Sequence, residues 1–174
     1  MHFMMVVICL AVPAMVCAQM ESAPDSTLES VRAFVQISER VGTSGQIGTR
    51  HVKTMKESGY ELVINLAPAR ERMNKEESFA VVSAGIAYVQ IPVDFQNPAL
   101  RDLEFFFQVM NANKDRKVYV HCFANMRVSS FIYLYRVIHE GVAPEEADKA
   151  LKQVWQPNED WTRFLEKAMK EYCK

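Results

Sequence analysis

Four short runs rich in β-branched and aromatic residues punctuate the chain: Phe34–Ile37, Glu61–Leu66, Ala87–Val93 and Lys117–His121. Each is short and bounded by turn-forming residues, which predicts strands. Between them apolar positions recur at helical spacing. Residues 49–58 read as a helix closed by Gly59, and Lys75–Ala84 as one closed by Gly85, glycine being the residue that follows a helix at least cost. Pro98 opens a helix running to about Asn111, in which Leu100, Leu103, Phe106, Phe107 and Met110 share one face. Further helices are expected from Arg127 to His139, from Pro144 to Val154 and from Asp160 to Tyr172. The cluster Phe105, Phe106 and Phe107 reads mostly as core. Strands alternating with helices predict an α/β fold with a mainly parallel central sheet flanked by helices.

The amino terminus departs from this pattern. Residues 1–18 hold no Lys, Arg, Asp or Glu, and the apolar run from Phe3 to about Val16 is interrupted by Pro13. Such a run is too short for a membrane span, which needs about 20 residues, and reads as a secretory signal peptide. Residues 19–30, with Pro, Asp and several Ser/Thr, read as a linker, and 31–174 as one domain. A secreted or periplasmic location follows, with no membrane association after cleavage.

Twenty Lys+Arg stand against 21 Asp+Glu in 174 residues, without a basic stripe, so nucleic acid is not an expected partner. No zinc, nucleotide or flavin motif is present, and neither His51 nor His139, both read as surface helix residues, lies at metal-ligand spacing. No cofactor and no metal are expected. Of four cysteines, Cys9 and Cys17 fall in the signal peptide, leaving Cys122 and Cys173. They form either a single bridge in an oxidising compartment, or a working thiol at Cys122 with an idle Cys173.

The segment KVYVHCFANMRVSS decides what Cys122 is suited to. A buried-strand pattern ends at His121-Cys122, and Phe123, Ala124, Asn125 and Met126 lead to Arg127 at the start of a helix. Helix amino-terminal amides lack intrahelical partners and carry partial positive charge, so they bind anions and favour a neighbouring thiolate. An Arg fork grips two oxygens of a tetrahedral anion. Cys122 then reads as a nucleophile aimed at a bound anion.

His121-Cys122, Arg127 and Ser129 resemble the signature of the cysteine-based protein tyrosine and dual-specificity phosphatases. With VGTSGQ, VINLAP, IPVDFQNP and VWQPNEDW, the stretch from Phe34 to Trp161 is similar to a bacterial phosphatase-like branch of that superfamily. The resemblance implies a phosphorylated substrate, a cysteinyl-phosphate intermediate on Cys122, and phosphate binding by residues 123–127 with Ser129. It also implies that Asp94 is the general acid, protonating the leaving oxygen; otherwise Asp94 is a turn residue. Ser129 is expected to donate to the thiolate, Ser130 to pack inward and His121 either to orient the loop or to sit satisfied in the core. Asn125 stands where the family has glycine and is expected in the left-handed conformation. Ser44-Gly45-Gln46 reads as a turn near the site.

Four residues separate Cys122 from Arg127, one fewer than in well-studied members, and that is the loop length of rhodanese-type sulfurtransferases. A Cys122 persulfide carrier is therefore one alternative. A catalytically silent phosphate-loop binding domain is another.

Overall fold

The computed structural model describes residues 26–69 and 71–173, the side chains of 71–74 excepted. The signal-peptide segment 1–18 and the first part of the linker lie outside the described residues. Strands β1 (Val35–Gln36), β2 (Val41–Ser44), β3 (Leu62–Asn65), β4 (Ala87–Gln90) and β5 (Val118–His121) form one sheet in the order β1-β2-β5-β3-β4. β1 is antiparallel to β2, and every other pair is parallel. The fold is thus a mixed, mostly parallel α/β domain.

The helices are α1 (Val52–Glu57), preceded by a 3-10 turn at Thr49–His51, then α2 (Glu71–Ser83), α3 (Leu100–Ala112), α4 (Met126–His139), α5 (Pro144–Val154) and α6 (Glu159–Tyr172). Among the described residues no helix is long and apolar enough to cross a membrane. Gly59 and Gly85 have φ of +81° and +74°, so both expected helix stops occupy the left-handed conformation.

Strand alternation divides the interior in two. Val118, Val120 and Cys122 face a core built with Leu103, Phe106, Phe131, Leu134, Trp161 and Phe164 from α3, α4 and α6. Tyr119 and Val63 point the other way and pack with Val52, Met55 and Val81 of α1 and α2. Phe106 and Phe107 are buried and Phe105 is exposed, as the helical spacing requires. Leu28, at the end of the expected linker, is buried in the second core.

Two expectations need correction. β2 is a strand that the residue pattern does not predict, because Gly42 and Thr43 break the apolar run; it forms since each of its residues pairs with β5. His51 is not a surface residue: it is buried, and its Nδ1 accepts from the Gly48 amide at 2.9 Å.

Candidate active site

The central strand β5 runs into the signature loop at its carboxyl end, where open α/β sheets place their ligands. The loop is tied down from β2. The Cys122 amide donates to the Ser44 carbonyl (3.3 Å), the Gln46 amide donates to the Phe123 carbonyl (3.3 Å), and Gly45 bridges to Ala124. A side chain at Gly45 has no room, since its Cβ would stand 2.9 Å from the Phe123 oxygen. Ser44 and Gln46 thus do more than turn the chain; they hold the loop.

Asn125 adopts φ +62°, ψ −2°, the left-handed conformation expected where glycine is missing. Its amide nitrogen donates to the Ala33 carbonyl (2.7 Å) and to Thr43 Oγ1 (3.2 Å), so the side chain locks the bend and does not cap α4. The first amides of α4 keep their outward polarity without a side-chain acceptor from Asn125.

Arg127 follows at the first turn. It is only 8% exposed, yet it pairs with no carboxylate among the described residues. Its Nε donates to the Val93 carbonyl at 3.0 Å, and its guanidinium lies 5.0 Å from the Phe95 ring centre and 5.8 Å from that of Phe123. A buried cation without a counter-charge is costly, so this guanidinium is suited to a bound anion.

The same bond brings the Asp94 loop onto the signature arginine. Asp94 is exposed, and its Oδ1 accepts from the Gln96 amide at 2.9 Å, an Asx turn. On its far side the Phe95 carbonyl accepts from Trp161 Nε1 at 2.9 Å.

Cys122 is free and fully buried, and Cys173 is free and exposed, so no bridge joins them. In this conformation Cys122 has no surface accessible to solvent. The Ser129 Oγ donates here to the Met126 carbonyl (3.1 Å), an acceptor it shares with Ser130 Oγ (3.0 Å). Back-bonding to the preceding turn satisfies both hydroxyls locally.

Reading from sequence missed Glu77. This α2 carboxylate is 2% exposed and stands 2.9 Å from Nε2 of the wholly buried His121, a contact whose direction falls short of a hydrogen bond. It accepts from Tyr88 Oη (3.0 Å), from Asn65 Nδ2 (3.5 Å) and, at close range, from Gln46 Nε2. The Tyr88 phenol is pushed up, first by burial and then by the charge of Glu77, and stays a donor. His121 thus faces a carboxylate on the side of the sheet opposite Cys122. No sequence signal distinguishes Glu77 from its neighbour Glu76. Among the described residues no group of three His, Cys, Asp or Glu side chains is arranged to hold a metal.

Residues 15–170 match the family model described as "DSP-PTPase phosphatase fused to NAD+ Kinase". A DUF442 protein of Shewanella putrefaciens CN-32, a candidate phosphatase, superposes with a TM-score of 0.75 at 34% identity, covering 83% of this chain and 96% of that one. TpbA of P. aeruginosa shares the fold at 12% identity, with a TM-score of 0.64 over 82% of this chain and 92% of its own. A beta-lactamase hydrolase-like protein of Xylella fastidiosa (strain Temecula1) is 30% identical over 119 residues, 66% of this chain. The matched stretch is 27% of that relative's length. With residues 15–170 matched by that family model, this protein belongs to the DSP-PTPase family of phosphatases.

Proposed function

We propose that the chain is a hydrolase that cleaves phosphate monoesters through a cysteinyl-phosphate intermediate. The observation carrying this reading is the buried Arg127 at the amino end of α4, without a carboxylate partner among the described residues and bonded to the loop that bears Asp94. The phosphoryl group binds the Arg127 fork and the amides of residues 123–127. Opening of the loop exposes Cys122, whose thiolate attacks phosphorus; the S–P bond forms, the bond to the leaving oxygen breaks, and Asp94 gives that oxygen its proton. Water then attacks phosphorus, Asp94 takes the proton, and the S–P bond breaks to release phosphate and thiolate. A sulfur carrier has no leaving alkoxide to protonate and needs no Asp94.

The test is a paired assay of the reduced protein against an aryl phosphate and against thiosulfate with cyanide. Turnover of the first alone is expected, abolished in Cys122→Ser with phosphate binding retained. Thiosulfate turnover without phosphatase activity removes the reading. One observation favours a second reading, a silent phosphate-binding domain: Cys122 has no accessible surface. Phosphate binding without turnover in the same assay selects it. Export from the cytoplasm is part of the proposal and rests on the apolar run before Gln19. Sequencing the amino terminus of the protein recovered from the cell envelope tests it.

A further inference from the structure

The main-chain carbonyls on either side of Asp94 are each held by a side chain from a different helix. Arg127 Nε of α4 takes the Val93 oxygen at 3.0 Å, and Trp161 Nε1 of α6 takes the Phe95 oxygen at 2.9 Å. Val93 and Trp161 are both fully buried, while Asp94 between them is exposed. The Phe95 ring closes the arrangement, 5.6 Å from Trp161, 5.7 Å from Trp155 and 5.0 Å from the Arg127 guanidinium. Trp161 is itself seated by Asn158, whose Oδ1 accepts from the Trp161 amide at 3.0 Å.

An indole N–H is a donor only, and when buried it needs an acceptor; here that acceptor is a loop carbonyl, not a group of the core. Proton transfer depends steeply on placement, and a group carried on an exposed loop acts well only where the loop is fixed. We infer that Trp161 is a positioning residue for Asp94, and that with Arg127 it clamps the acid loop in its working place. This deepens the proposed phosphatase reading and rests on it. The motif VWQPNEDW is thereby explained, since Asn158 starts α6 and α6 delivers Trp161 to the loop.

The experiment compares phenyl phosphate, a poor leaving group, with 4-nitrophenyl phosphate, a good one, in wild type, Asp94→Asn, Trp161→Phe and the double variant. Trp161→Phe keeps a ring in the core and deletes the N–H. Its expected effect is a loss of about tenfold in kcat on phenyl phosphate with less than about twofold on 4-nitrophenyl phosphate, since misplacing an acid forfeits part of its ~100-fold or larger contribution. In the Asp94→Asn background it should cost nothing more on phenyl phosphate. Phe164→Leu, which loosens the same aromatic cluster without touching the loop carbonyl, should lower Tm without separating the substrates. Should Trp161→Phe not fold, Asn158→Ala unseats the same indole and is expected to show the same split. Equal losses on both substrates, or losses that add to those of Asp94→Asn, overturn the clamp. A wild type that turns over neither phosphate overturns the phosphatase reading instead, and equal losses on both substrates in Asp94→Asn remove the acid role from Asp94 and the clamp with it.

Discussion

Arg127 Nε donates to the carbonyl of Val93 across 3.0 Å, so the guanidinium holds the loop before Asp94 through Nε while the proposed anion contact falls to its Nη atoms. One side chain from the signature helix thus serves both halves of the proposed reaction. Substitution separates its charge from its geometry. Arg127→Lys keeps the charge and loses both the bond to Val93 and the fork. The expected result is a fall in vanadate or phosphate affinity of about 10- to 100-fold, the range of about 1.5–3 kcal/mol for a charged hydrogen bond. Titration calorimetry on both proteins reads it, and unchanged affinity would show that the fork does not face the anion.

Glu77 is expected to matter for stability more than its anonymity in the sequence suggests. Glu77→Ala leaves Gln46, Asn65, Tyr88 and His121 facing an empty site, and breaking such a buried cluster costs about 3–5 kcal/mol. Glu77→Gln retains an acceptor and should cost less. Urea unfolding of the two variants measures the difference; equal, small losses would show that the cluster is not coupled.

The two thiols should differ sharply in the native protein. Cys173 is exposed at the end of α6, and Cys122 is fully buried. Iodoacetamide is expected to label Cys173 first, with Cys122 following only as the loop opens and more slowly still with phosphate bound. Peptide mass spectrometry over a time course resolves the two, and simultaneous labelling contradicts the closed site.

A pH effect on stability is expected from His139, an exposed residue whose ring is partly desolvated against Phe107; desolvation first and Lys114 next lower its pKa. The unfolded chain therefore takes up this proton more readily than the folded one. The contribution is fully present above the ordinary histidine pKa of about 6.5 and is lost as pH falls through the folded value. The ring packs 4.5 Å from Phe107, so His139→Gln should weaken the fold at neutral pH and flatten Tm between about pH 7 and 5. An identical slope in wild type and variant assigns the pH effect to other groups.

Much of this molecule is written in local pattern, because helix and strand periods and their stops act over a few residues. The α5 span Pro144–Val154 follows from Pro144 at the first helical position, and the left-handed Asn125 from a glycine-like place in the loop. The Cys122 and Arg127 pairing is equally local, since a strand end and a helix start in one loop bring them together. Tertiary structure decided what depends on distant partners. Strand β2 has no apolar run of its own and exists because β5 lies beside it. Ser129 turns to the Met126 carbonyl, an acceptor one turn back on its own helix. Glu77 reaches His121, and Trp161 reaches Phe95, across 44 and 66 residues of sequence, through packing on opposite faces of the sheet. A lone Glu or Trp carries no mark of such a partner, because a hydrogen bond between distant segments is specified by the whole core that brings them together.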